Sequence, residues 1–150
     1  MSSPLQILQQ YWKHAAFRPL QEEIIQSVLQ GKDCIALLPT GGGKSVCYQI
    51  PGIILPGVSL VISPLIALMK DQVNAIITDR NFDKVAYLNS ELSLIDRERV
   101  IESCQSGEID ILYMSPELFM SYDIKHFIGE RKLGLLVIDE AHLITTWGRD

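Results

Sequence analysis

Apolar positions along the chain follow two rhythms. Short continuous runs, Cys34 to Leu38, Val58 to Ile62, Val85 to Leu88, Ile109 to Met114 and Leu135 to Ile138, are bounded by turn residues and predict buried strands. Between them, apolar residues recur every three or four positions and predict helices. Leu20, Ile24 and Val28, with Ile25 and Leu29 beside them, predict a helix that starts after Pro19 and stops at Gly31. Ser45 to Ile50 (stopped by Pro51), Leu65 to Ile77, and Leu94 to Cys104 predict three more. The last opens at Ser93, with Asp96 three residues on in a near capping box, and closes at Gly107. From Cys34 the order is β-α-β-α-β-α-β-α-β. Such alternation implies an α/β fold, a mostly parallel sheet with helices on both faces, whose ligands bind outside the carboxyl ends of the strands.

Composition narrows the class. A chain of 150 residues that is 47% hydrophobic and 21% charged is long enough for one globular domain with a core. The net charge of -5 supplies no global field for nucleic acid or anionic membrane, so any polyanion contact is local. Three widely spaced cysteines, Cys34, Cys47 and Cys104, fit reduced core thiols and show no metal spacing. Neither a leader pattern nor an apolar stretch of spanning length is present, so the expected setting is cytoplasmic, nucleoid-associated if bacterial, with no membrane partner.

The carboxyl-edge rule directs attention to the tail of each strand. After Leu38 comes Pro39-Thr40-Gly41-Gly42-Gly43-Lys44-Ser45, a glycine-rich loop leading into a helix. Three glycines let successive backbone N–H groups turn inward around an anion. Lys44 would reach the β/γ-phosphates and Ser45 would hold Mg²⁺. The position five before Gly43 is Leu38 where the common phosphate-loop pattern has glycine, and on the heptapeptide alone a glycine-rich turn is the competing reading. The other tails are Ser63-Pro64, Asn89-Ser90, Ser115-Pro116-Glu117 and Asp139-Glu140-Ala141-His142. For the middle three, ordinary turn and cap chemistry explains the residues equally well. In the fifth, Asp139 suits the outer partner of Mg²⁺ and Glu140 the orientation of an attacking water. Helix-start acids would explain an isolated Asp-Glu, but not one paired with a phosphate loop in a doubly wound order.

These residues carry a specific resemblance. Asp139-Glu140-Ala141-His142 reads as the DEAH motif of superfamily 2 helicases, and Pro39 to Pro51 resembles the phosphate loop of the RecQ family of DNA helicases, which does not keep the first glycine. Phe17-Arg18-Pro19-Leu20-Gln21, Val61 to Val73, Leu88-Asn89-Ser90 and Leu112 to Glu117 are similar to further motifs of that family, in family order up to Asp150. The resemblance implies a RecA-like P-loop NTPase fold and an ATP-dependent DNA helicase. Hydrolysis of ATP with Mg²⁺ would drive 3′-to-5′ translocation on single-stranded DNA and duplex unwinding in repair or recombination.

Residue by residue, the resemblance assigns Gln21 and Arg18 to the nucleotide's adenine side, with Thr40, Gly41, Gly42, Gly43, Lys44 and Ser45 around the phosphates. Ser45 and Asp139 fall to Mg²⁺, Glu140 to water, and His142 to the link between hydrolysis and DNA. Without the family, His142 would be a capping or core histidine. Where similar enzymes stack an aromatic on adenine this chain has His14, a smaller platform. Tyr11 and Trp12 are nearby, although a helix burying Leu5, Leu8 and Trp12 is the competing use of that segment. DNA is expected at Ser63, Pro64, Asn89 and Ser115. It is also expected at Trp147, in a stretch similar to the opening of the family's aromatic-rich loop, where a core aromatic is the alternative. The resemblance makes the chain the first part of one motor lobe, lacking a second lobe and accessory domains, and such a piece is expected to bind ATP but to be a poor motor. Two other functions stay in view: an RNA helicase of superfamily 2, and a P-loop ATPase that does not act on nucleic acid.

Overall fold

The computed structural model describes residues 3–18, 20–31 and 45–138. The chain divides into two compact units, residues 1–56 and 57–150.

The first unit is helical among its described residues. Helix α1 (Pro4–Ile7) is fixed at its start by a capping box: the Ser3 hydroxyl accepts from the Gln6 N–H at 3.2 Å, and the Gln6 side chain accepts from the Ser3 N–H at 2.9 Å. The winding then loosens to a π-helical turn over Leu8–Trp12, which ends at Lys13 in the left-handed region. Helices α2 (Gln21–Leu29) and α3 (Val46–Ile54) follow. Their common core is Ile7, Leu8, Trp12, Ile25 and Ile50. Three expectations need correction here. Leu5 is 38% exposed and Ile7 takes its place, because the buried positions are 7, 8 and 12, with the partly buried Tyr11 packed against them. Leu20 is not on the buried stripe: it caps α2 with φ of 73° and is 56% exposed, while Ile25 is fully buried. Pro51 does not stop α3, which runs on to Ile54. Proline costs the helix one N–H and crowds the preceding turn, but Ile50 is anchored in the core with Ile53 and Ile54 against it, and the Leu55 N–H reaches the Pro51 carbonyl at 2.8 Å. Packing outweighs the local penalty.

The second unit carries the sheet. Its elements are β1 (Val58–Ile62), α4 (Ile66–Asp79), β2 (Val85–Leu88), α5 (Leu94–Ser106), β3 (Ile111–Met114), the short helices α6 (Pro116–Ser121) and α7 (Ile124–Ile128), and β4 (Leu133–Ile138). The strands lie in the order β2-β3-β1-β4 and every pair is parallel. The expected strand over residues 34–38 lies outside the described residues. Every residue of β1 and β3 is buried, as covering on both faces requires. Val58, Leu60 and Ile62 project with Leu112 and Met114 into a cluster completed by Cys104 of α5 and Phe127 of α7. Outside that cluster, α4 buries Met69, Val73 and Ile76 and packs against β2. Helix α5 is capped as its sequence predicts: the Ser93 hydroxyl accepts from the Asp96 N–H at 3.1 Å, and Gly107 closes it at φ of 97°. Among the described residues no helix is long and apolar enough to cross a membrane.

Two features hold the amino-terminal edge of this sheet. Gly57 has φ of 90°, and a Cβ there would stand 2.2 Å from the Lys132 carbonyl oxygen, so only glycine allows the turn that starts β1 beside β4. Arg131 donates through Nη1 to the carbonyls of Cys104, at 2.7 Å, and of Ile109, and through Nη2 to the Asp110 carboxylate at 2.7 Å. It thereby ties the end of α5, the entry to β3 and the entry to β4 into one corner. Burial pushes the Cys104 thiol up from 9.0 to about 11, with Arg131 opposing and Asp110 reinforcing. Cys47 and Cys104 are both buried, as their apolar settings predict.

Candidate nucleotide and nucleic-acid site

Parallel pairing brings the strand tails together. Ile62 and Leu88 are each in register with Met114, and Ile138 is in register with Ile62. The ladder continues one step past the strands: the Ser63 N–H donates to Met114 at 3.0 Å and the Ser115 N–H to Leu88 at 3.2 Å. Residues 63, 89 and 115 therefore stand side by side at the carboxyl edge, and β4 ends at Ile138 on the same level.

All three side chains are buried, Ser63 to 3% exposure, Asn89 to 1% and Ser115 to 0%. The Ser63 hydroxyl accepts from the Leu65 N–H at 3.3 Å, holding the turn into α4. Asn89 closes an Asx turn by accepting from the Glu91 N–H at 2.9 Å, while its amide nitrogen reaches the Met69 sulfur at 3.8 Å. The Ser115 hydroxyl has no hydrogen-bond partner among the described residues. In this conformation these polar groups face inward and shape the edge loops. What the loops present outward is backbone, the half-buried Pro64 and the exposed Ser90. For Ser63 and Asn89 this is the turn chemistry that the sequence left level with a ligand role, because Ser and Asn serve turns and ligands alike. The Asn89–Met69 contact, twenty residues apart, had no sequence signature at all.

In the first unit, Arg18 and Gln21 are joined by a reciprocal pair of hydrogen bonds. The Gln21 N–H donates to the Arg18 carbonyl at 3.2 Å, and the Gln21 side-chain oxygen accepts from the Arg18 N–H at 2.8 Å. The left-handed Leu20 makes this reciprocal pair possible. Gln21 is 5% exposed, so its amide is held in a fixed orientation, with one lone pair of its oxygen already engaged. Arg18 and His14 are exposed and Phe17 packs against the helical core. Ser45 stands at the head of α3 and its hydroxyl makes no capping hydrogen bond. Thr40, Gly41, Gly42, Gly43, Lys44, Asp139, Glu140, His142 and Trp147 lie outside the described residues. No cluster of three or more metal-ligating side chains occurs among the described ones.

Comparison with known proteins adds an independent finding. The DEAD/DEAH box helicase family matches residues 18–150. The chain is 42% identical over 146 residues to the ATP-dependent DNA helicase RecQ of Pasteurella multocida, covering 97% of this chain and 23% of that protein. It is 43% identical over 150 residues to the probable ATP-dependent DNA helicase RecS of Bacillus subtilis, covering 100% of this chain and 30% of that protein. The chain thus spans under a third of the length of these curated relatives. Among solved structures, a hypothetical ATP-dependent RNA helicase from Sulfolobus tokodaii superposes with a TM-score of 0.71 at 23% identity, over 95% of this chain and 43% of that one. The helicase MrfA, solved bound to DNA, gives a TM-score of 0.65 at 22% identity, over 81% of this chain and 18% of that one. At such identities these two likenesses speak for the fold, a RecA-like α/β sheet.

Proposed function

Because the chain belongs to the DEAD/DEAH box helicase family, we propose that it is the opening part of the first motor lobe of a RecQ-type DNA helicase. That enzyme would couple ATP hydrolysis to 3′-to-5′ movement along single-stranded DNA and to duplex unwinding, in repair or recombination. The observation that carries this reading is the alignment of residues 63, 89 and 115 at one carboxyl edge of a parallel sheet, level with the end of β4 at Ile138. A motor needs its nucleotide residues and its strand-gripping loops on a common rigid edge, so that a change at one is felt at the other.

The described part of the nucleotide site fits ATP with Mg²⁺. Ser45 has a hydroxyl free of capping at the head of a nine-residue helix, suited to a divalent cation, and Gln21 has an oriented amide able to donate and accept on a purine edge. In the proposed mechanism Lys44 binds the β/γ-phosphates, Ser45 and Asp139 hold the cation, and Glu140 orients the attacking water. Arg18 and His14 line the adenine side, and His142 relays the state of the site to the DNA loops. Mg²⁺, when bound, neutralises charge building between the β- and γ-phosphates. The inward hydroxyls and amide of Ser63, Asn89 and Ser115 keep the edge loops in shape, and a DNA backbone would be gripped by loop N–H groups and exposed hydroxyls, which needs no basic surface.

The deciding experiment compares ATP turnover by the full-length protein with matched single-stranded DNA and RNA. DNA is expected to stimulate strongly and RNA weakly, with Lys44→Ala abolishing ATP binding. Equal stimulation by RNA would favour an RNA motor. No stimulation by either would favour an ATPase that does not act on nucleic acid.

A further inference from the structure

The outer helical layer of the second unit contains a preformed groove of about 380 Å³, distant in kind from the nucleotide chemistry. One wall is a stripe of α5 from Leu94 to Gln105, about 16 Å long at 1.5 Å per residue. The other wall is α6 and α7, with Leu118, Tyr122 and His126, and Phe127 lies at the base beside Leu88. Both ends are tied. Near the start of α5, Arg97 donates from Nε to the Leu92 carbonyl at 3.0 Å and from Nη2 to the Ser90 carbonyl at 2.8 Å. Near its end, the Gln105 amide donates to the His126 carbonyl at 3.0 Å. The Tyr122 and His126 rings stack at 4.3 Å with 13° between their planes, and Phe127 meets both edge-on. The Gln105 bond thus joins the two walls at one end, while Leu94 is 71% exposed and Tyr122 is 50% exposed at the rim.

The charges say what such a groove would accept. Glu98 and Glu102, one helical turn apart on the same wall, are exposed and have no ion-pair or hydrogen-bond partner for their carboxylates among the described residues. Like charges at this spacing disfavour the helix that carries them, and a cation between them would relieve the repulsion. Of the two arginines that flank Glu98, Arg97 is already committed to two backbone carbonyls and Arg99 is not among the residues lining the groove. Tyr122, half exposed on the other wall with His126 stacked on one face of its ring, adds an aromatic surface to the same groove. An apolar base beside a wall with two unpaired carboxylates and one committed guanidinium disfavours phosphodiester and suits a basic, amphipathic chain. Two helical walls flanking a trough about three turns long suit a third helix.

We propose that this groove is a docking site for a lysine- or arginine-bearing amphipathic helix of a partner protein. The proposal stands independently of the helicase reading, since none of its residues is assigned to nucleotide or DNA. The test is a titration of the ¹⁵N-labelled 150-residue chain with a synthetic 14-residue amphipathic peptide carrying leucines on one face and lysines beside them. Shift changes confined to α5, α6 and α7 are expected. A peptide with glutamates in place of the lysines should bind at least tenfold more weakly. The exposed double variant Glu98→Gln/Glu102→Gln should lose about threefold to thirtyfold in affinity, as two surface charge pairs predict. Tyr122→Ala, a second variant at a half-exposed site, should also weaken binding with the fold intact by circular dichroism. Shifts spread over other acidic surfaces, equal binding of both peptides, undiminished binding by the double variant, or displacement of the peptide by a single-stranded oligonucleotide would each overturn the proposal, as would no binding at millimolar peptide.

Discussion

Replacing Arg131 tests whether the corner at the amino-terminal edge is held by a fork of directed hydrogen bonds or by charge alone. Arg131→Ala removes three donors at once and leaves the carbonyls of Cys104 and Ile109 and one Asp110 oxygen without them. Bonds to a charged group are worth about 1.5–3 kcal/mol each when buried. The Arg131 and Asp110 side chains are 21% and 28% exposed, so water softens the loss. Lys84 gives Asp110 only a distant second partner at 3.9 Å. The expected total is about 3 kcal/mol, below the roughly 4.5–9 kcal/mol of the simple sum, after discounting for solvent access. For a chain of this size that corresponds to a fall in Tm of about 6–12 °C. Arg131→Lys keeps the charge, but a single ammonium cannot span three acceptors set on different segments, so it should recover only about a third of the loss. Urea unfolding followed by circular dichroism measures both variants, with Arg131→Met controlling for the packing of the alkyl stem. If Arg131→Ala costs less than about 0.5 kcal/mol, or if lysine restores full stability, the fork is not what holds the corner.

Gly57→Ala combines a left-handed backbone with a Cβ placed 2.2 Å from a carbonyl oxygen, and should cost about 2–4 kcal/mol, read as a lower urea midpoint with an unchanged slope. Cys104 predicts an alkaline weakness: its thiol keeps its proton more tightly folded than unfolded, so this contribution is complete below pH 9.0 and is lost as pH rises toward about 11. The fall in unfolding free energy across that window should be smaller in Cys104→Ala, and an equal slope in both proteins would remove the thiol as its cause. Below pH 9 the same thiol should react with iodoacetamide only as fast as the chain unfolds.

Much of this protein was legible in its residue order. The runs Val58 to Ile62 and Val85 to Leu88 became strands with those limits, and Ser93 and Gly107 bounded α5 where their cap chemistry said. These features are local: an apolar run between turn residues, or a hydroxyl three residues before an N–H, acts within one turn of chain. The parallel sheet was legible for a similar reason, since short strands separated by helices have few other ways to pair. The family resemblance was legible because its motifs are contiguous. What only the tertiary structure decided depends on partners far along the chain. Pro51 stays helical because Ile50 is buried among residues from α1 and α2. Leu20 leaves the apolar stripe because the reciprocal pair of hydrogen bonds between Arg18 and Gln21 sets its backbone first. Arg131 and Asp110, unremarkable in sequence, meet only when β3 and β4 begin near the end of α5. Ser63, Asn89 and Ser115 turned inward although their positions at the sheet edge were foreseen, since strand register places a residue but the packing around it chooses what its side chain bonds to. Local chemistry wrote the elements and their order; long-range packing chose which polar groups face the site and which hold the scaffold.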